Sequence, residues 1–234
     1  RRYRRRAHPI SAAATHASGA LRRARVRRLA GLYAVTPDLA DTADLVARVE
    51  AAVTGGACAI QYRNKTADAA LKREHLTELI PLCREHHVPL IVNDDLALTL
   101  SAGADGVHLG EQDGDARVAR ERLGPDALIG VSCYDDLARA RLAAEAGASY
   151  IAFGAFFFFM TKPNARRASF ALLRDSEIFG LPRVAIGGIT PDNARSLVEA
   201  GADMLAVISG VFDAPDPVAA ARAYRSCFES HFPD

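Results

Sequence analysis

From Gly31 to Gly210 one pattern repeats eight times: a short apolar, β-branched run that ends in polar residues, then a longer stretch of helical period. The runs are GLYAVTPD (31–38), ACAIQYRNK (57–65), PLIVNDD (89–95), GVHLG (106–110), LIGVSCYD (128–135), YIAFGAFF (150–157), RVAIGGIT (183–190) and LAVISG (205–210). Between the first two, ADLVARVEAAVTGG spaces Leu45, Val46, Val49 and Val53 along one helix face. The tetrapeptide A-G-A-[DS] recurs at 102–105, 146–149 and 200–203, where glycine suits a left-handed helix cap before the next strand. TPDNARSLVEAG opens with a Thr able to cap and a Pro at the first helical position. Runs apolar on both faces, alternating with helices, belong in a parallel sheet covered on both sides. Eight such units predict the α/β class and a closed (β/α)8 (TIM) barrel. The alternative, an open doubly wound sheet, lacks its expected G-x-G-x-x-G after the first run.

The charge is unevenly distributed. Residues 1–30 hold ten Arg and no Asp or Glu, so the remaining 204 residues carry 19 basic and 28 acidic side chains, a balance of −9. The segment 1–30 reads as a basic, disordered arm ahead of a single barrel domain over 31–234; a nucleic-acid tail, a targeting peptide and upstream translated sequence all share its composition. An acidic body argues against nucleic-acid binding, which needs a basic surface. Half the residues are hydrophobic, enough to bury a core without disulfide or metal staples. The four cysteines, Cys58, Cys83, Cys133 and Cys227, are scattered without metal-ligand spacing, which fits reduced thiols and a cytoplasmic location. No apolar run reaches the roughly 18 residues of a membrane span.

Reactive groups of such barrels gather where strands end. Gln61, Arg63 and Lys65 stand at i, i+2 and i+4, which on one strand face makes an anion cradle; a solvated polar strand end is the alternative. Asp94 and Asp113 end neighbouring strands, and Mg2+ takes one or two carboxylates with waters and phosphate oxygens; two helix caps would look the same. Asn93, Ser132, Thr161 and Lys162 are further strand-end candidates, while His108 reads as a packed, hydrogen-bonded interior residue. Gly187, Gly188 and Ser209 follow runs seven and eight, where barrels often hold a phosphate on backbone N–H groups. Phe156 and Phe157 are expected to finish the sixth strand, one facing the barrel and one its helices.

The ordered set GLYAVTPD, QYRNK, VNDD, GVHLGEQD, GVSCYD, TKP, VAIGGI and AVISG resembles the thiamine phosphate synthase family from about residue 31 to 213. The resemblance implies a transferase of thiamine biosynthesis that joins hydroxymethylpyrimidine pyrophosphate to thiazole phosphate with Mg2+, giving thiamine phosphate and pyrophosphate. By position it places the pyrophosphate on Gln61, Arg63, Lys65 and Lys162, and the metal on Asp94 and Asp113. Asn93 matches the residue that contacts pyrimidine or phosphate, and Ser132 the serine near the pyrimidine and leaving group. Thr161 belongs to the same T-K motif as Lys162, and Gly188, Ile208 and Ser209 match the thiazole phosphate cradle. The resemblance breaks at Glu111, often Gln in the family, and at Phe158 and Phe159, which replace a turn-forming Pro and a hydroxyl residue. Two other readings therefore stand beside it: a thiazole tautomerase-like paralogue, and a non-catalytic phosphate-binding barrel weakened at those two phenylalanines. The expected partners are the two small-molecule substrates, with no nucleic acid and no membrane; a homo-oligomer is compatible with the sequence.

Overall fold

The computed structural model describes residues 20–157 and 167–229. Helix α1 spans Ala20–Val26, followed by β1 Gly31–Val35, α2 Thr42–Thr54, β2 Ala59–Tyr62, α3 Ala69–Glu85, β3 Leu90–Asn93, α4 Leu96–Ala102 and β4 Gly106–Leu109. The second half holds α5 Ala116–Leu123, β5 Leu128–Tyr134, α6 Leu137–Glu145, β6 Tyr150–Gly154, α7 Phe170–Asp175 with a 3-10 turn Ser176–Phe179, β7 Arg183–Ile186, α8 Pro191–Glu199, β8 Met204–Val207, α9 Ser209–Phe212 and α10 Pro217–Ser226. The strands pair in chain order, all parallel, and β1 also pairs with β8 to close the barrel. This is the (β/α)8 architecture that the repeat predicts.

Alternate residues of each strand serve two cores, as the pleat requires. Leu32, Ala34, Ile60, Val92, Val107, Ile129, Ile151 and Leu205 pack outward under the helices. Tyr33, Val35, Ala59, Ile91, Leu128, Tyr150, Ala152, Val184, Met204 and Ala206 form the second cluster inside the barrel. Helix starts are set by short acidic side chains: Asp41, Asp68, Asp95, Asp115, Asp136 and Asp216 each accept a backbone N–H of the first turn. Thr190 stands at the start of α8 with Pro191 in its first turn, as the TPDN signal predicts, and the Asn193 side chain accepts the Thr190 amide at 2.9 Å.

Of the segment read as an arm, residues 20–30 are described, and they pack on the barrel. Leu29 joins the inner cluster at 3% exposure, a burial that contributes about 1.5–3 kcal/mol for such a side chain. On α1, Arg25 pairs with Asp105 at 2.7 Å, and the Gly31 amide donates to the Asp203 carbonyl at 2.9 Å. Residues 20–30 thus pack at the N-terminal ends of the strands, opposite the mouth; residues 1–19 lie outside the described residues. Among the described residues, no helix is long and apolar enough to cross a membrane.

Gly106 tests the strand placement. A Cβ there would overlap the carbonyl oxygen of Leu128 on β5, and the Leu128 amide is already bonded to the Asp105 carbonyl at 2.9 Å. Gly106→Ala is expected to lower stability by about 1–3 kcal/mol, read as an earlier urea midpoint; an unchanged midpoint would contradict the packing of β4 against β5.

Candidate active site

Strand β2 stops at Tyr62, so the pleat directs only Gln61 of the predicted Gln61, Arg63 and Lys65 set. Gln61 turns into the barrel, where its Nε2 donates to the Tyr33 hydroxyl at 2.9 Å. Arg63 and Lys65 are placed instead by the loop after β1. Thr36 Oγ1 bonds both the amide and the carbonyl of Arg63, each at 2.8 Å. Asp38 accepts the Lys65 amide at 2.8 Å and pairs with the Arg63 guanidinium at 3.4 Å. The buried Asn64 locks the same turn by donating to the Leu39 carbonyl at 2.6 Å. The expectation of one strand face is thereby corrected: two cations sit on a braced loop, and a neutral amide sits below them. No local signal in the sequence marks Asp38 and Thr36, because only the β1–β2 pairing brings them beside Arg63.

Lys65 lines a cavity of about 470 Å³ together with Lys72, Asn93 and Asp94. Asp94 stands at φ +63°, a left-handed conformation that Asp tolerates better than most residues. Its amide is held by the His108 carbonyl at 2.8 Å, fixing the end of β3 to β4. Helix capping belongs to the neighbours Asp95 and Asp115, which leaves Asp94 and Asp113 for other work. The two carboxyl groups meet: burial pushes Asp94 above the usual carboxylate range, and the hydrogen bond and charge of Asp113 push it further. Asp113 is held in turn by the Gly110 amide at 3.0 Å, and a Cβ on Gly110 would collide with that carboxylate. Two carboxylates brought together in a half-buried place suit a divalent cation, whose charge offsets their repulsion. No group of three or more His, Cys, Asp or Glu suited to a metal occurs among the described residues.

His108 is buried, as its interior position predicts, and burial pushes its imidazole down to about 4. Its Nε2 lies 2.8 Å from Ser132 Oγ and its Nδ1 lies 3.1 Å from the Tyr150 hydroxyl. Ser132 is half-buried near the end of β5, with its carbonyl accepting from Arg139 at 2.6 Å.

A second cavity of about 200 Å³ opens after β7 and β8, lined by Gly187, Gly188, Ile189, Ile208, Ser209 and Gly210. Gly188 lies at φ +64°, and a Cβ on it would come within 2.8 Å of Phe157 Cβ. The Asn193 side chain donates to the Gly188 carbonyl at 3.0 Å and accepts the Thr190 amide at 2.9 Å, turning this loop into α8. Strand β6 ends at Gly154, so Phe156 and Phe157 do not finish it. Their amides bond the Ile186 and Gly187 carbonyls at 3.2 and 3.1 Å, and both rings pack on Phe170. Thr161, Lys162, Phe158 and Phe159 lie outside the described residues.

A closed parallel barrel whose strand ends collect carboxylates, cations and a glycine-lined cavity belongs to the class of (β/α)8-barrel enzymes. The sequence profile of thiamine monophosphate synthase matches residues 32–211. A thiamine-phosphate synthase of Xanthomonas campestris pv. campestris (strain 8004) is 57% identical over 198 residues, covering 85% of this chain and 95% of that protein. A thiamine-phosphate synthase of Xylella fastidiosa (strain Temecula1) is 51% identical, covering 85% of this chain and 84% of its own. Among solved structures, a thiamine phosphate pyrophosphorylase from Pyrococcus furiosus matches with a TM-score of 0.76 and 36% identity, over 87% of this chain and 98% of that one. The chain belongs to the thiamine monophosphate synthase family and is an enzyme of the transferase class.

The raised carboxyl of Asp94 has a sign that can be measured. A group whose acid form is favoured by folding adds stability below its ordinary range and loses that stability as pH rises through its raised value. Asn also tolerates the left-handed backbone and carries no charge. In metal-free protein, Asp94→Asn is expected to melt above the unsubstituted chain at about pH 8, with the gap closing near pH 4. A gap that widens toward acid would contradict the opposed carboxylates.

Proposed function

We propose that this chain joins hydroxymethylpyrimidine pyrophosphate to thiazole phosphate, in the presence of Mg2+, and releases thiamine phosphate and pyrophosphate. The observation that carries this reading is the division of the barrel mouth. One cavity pairs Lys65, Asn93 and Asp94, and a separate glycine-lined one follows β7 and β8. Family membership supplies the reaction class, and two phosphorylated substrates need two anion sites.

The bond from the pyrimidine methylene carbon to the pyrophosphate oxygen breaks, and the electron pair leaves with pyrophosphate. The thiazole nitrogen then supplies the pair for the new carbon–nitrogen bond. Arg63 and Lys65 hold negative charge where it grows, on a loop already ordered by Thr36 and Asp38, so little reorganisation is needed. Asp94 and Asp113 would hold Mg2+, which supplies charge to offset the departing pyrophosphate. Asn93 and Ser132 orient the pyrimidine end, and Gln61 supports the same end from below. Lys162 and Thr161, by their place in the sequence motif, complete the pyrophosphate contacts. Gly188, Ile208 and Ser209 present backbone N–H groups to the thiazole phosphate and fix the nucleophile in line. No side-chain nucleophile is required. The paired carboxylates also speak against a tautomerase, which has no pyrophosphate to release.

Incubation with both substrates and Mg2+ should yield equimolar thiamine phosphate and pyrophosphate; thiazole phosphate binding with no product would overturn the reading. Gly188→Ala should raise the KM for thiazole phosphate by about tenfold, equal to ~1.4 kcal/mol, with kcat at saturation changed less. An unchanged KM would place that phosphate elsewhere.

A further inference from the structure

Five side chains from five strands join in one buried line. Gln61 Nε2 lies 2.9 Å from the Tyr33 hydroxyl, and that hydroxyl lies 2.7 Å from the Tyr150 hydroxyl. Tyr150 continues to His108 Nδ1 at 3.1 Å, and His108 Nε2 to Ser132 Oγ at 2.8 Å. Tyr33 and Tyr150 are each 1% exposed, so neither phenol has water to turn to. Their rings meet edge to face at 5.7 Å, and Tyr150 stacks on His108 at 5.7 Å, which fixes the line sideways. Gly130, paired with Tyr150 across β5 and β6, leaves the room: a Cβ there would strike the Tyr150 ring.

Hydrogen counting gives this line a direction. The Gln61 amide nitrogen can only donate, so the Tyr33 oxygen accepts. The single Tyr33 hydrogen then has the Tyr150 oxygen as its partner, because leaving it unpaired in the core is costly. The Tyr150 hydrogen passes to His108 Nδ1 by the same count. A neutral imidazole with an accepting Nδ1 carries its hydrogen on Nε2, which donates to Ser132 Oγ. Tyr33, Tyr150 and His108 are buried, which disfavours a charge on any of them.

We propose that Gln61, Tyr33, Tyr150 and His108 form a one-way hydrogen-bond chain that holds His108 as the Nε2–H tautomer and leaves the hydrogen of Ser132 free to donate to the pyrimidine pyrophosphate. Tyr33, Tyr150 and His108 are positioning residues that act through Ser132. The role of Ser132 toward substrate rests on the function proposed above; the tautomer does not. A pyrimidine end read by a donor differs from one read by an acceptor, so the chain's direction decides which atom of the substrate Ser132 selects.

The test has two arms. Protein labelled with 15N-histidine, with His108 assigned by its loss in His108→Gln, should show a protonated Nε2 and a bare Nδ1 in two-bond proton–nitrogen spectra. A protonated Nδ1 overturns the proposal, since it means that the Gln61 amide is reversed and every bond runs backward. In turnover, Tyr150→Phe is expected to lower kcat by about tenfold, the cost of one misdirected hydrogen bond, with the KM for thiazole phosphate unchanged. In a Ser132→Ala background the same change should cost nothing further. Losses that multiply independently overturn the chain as a route to Ser132. If the unsubstituted enzyme makes no thiamine phosphate, the function fails while the spectrum still decides the direction.

Discussion

The pairing of β1 with β8 is the contact on which the rest depends. Its register runs Gly31↔Met204, Leu32↔Leu205, Tyr33↔Ala206 and Ala34↔Val207. Neighbouring strands lie about 4.8 Å apart, so in an open sheet β2 and β8 would stand roughly 30 Å apart. Closure leaves only β1 between them, and the separation falls to about 10 Å. Two substrates can react only when their atoms approach to about 3–3.5 Å. The cationic loop after β2 and the glycine-lined cavity after β8 can serve one reaction because the sheet closes.

Closure also creates an interior that must be filled, and this chain fills part of it with polar groups. Tyr33, Gln61, His108 and Tyr150 are buried beside Ala59, Ile91, Val184 and Ala206. Both phenol oxygens, the Gln61 amide nitrogen and both His108 nitrogens have partners, which avoids the 1–3 kcal/mol or so that an orphaned group costs. The arrangement needs small residues opposite large ones, and Gly130 opposite Tyr150 is the clearest case. The same packing that fills the barrel therefore supports Ser132 at its mouth.

Much of this was legible in the sequence, for reasons that can be named. Strand periodicity and A-G-A-[DS] punctuation located all eight strands, because both are local properties of the chain. Asp94, Asp113 and Gly188 could be placed at strand ends from the sequence, where a barrel collects its reactive groups. The errors came from non-local effects. Strand alternation suggests that Arg63 and Lys65 continue β2, and nothing local shows that Thr36 and Asp38 take over at Arg63. Phe156 and Phe157 read as strand by propensity, yet contacts with Phe170 and the β7 loop decide their place. The basic start read as an arm from composition alone, which could not show Leu29 entering the barrel. The tyrosine–histidine line was invisible, because β1, β4 and β6 meet only after closure.

The central claim is that the mouth holds two anion sites that can be filled together. Calorimetric titration tests it most directly: pyrophosphate with Mg2+ is added to enzyme already saturated with thiazole phosphate. The account predicts one pyrophosphate bound per chain, with an affinity little changed from that of the thiazole phosphate-free enzyme. Mutual exclusion, with pyrophosphate displacing thiazole phosphate, would contradict it.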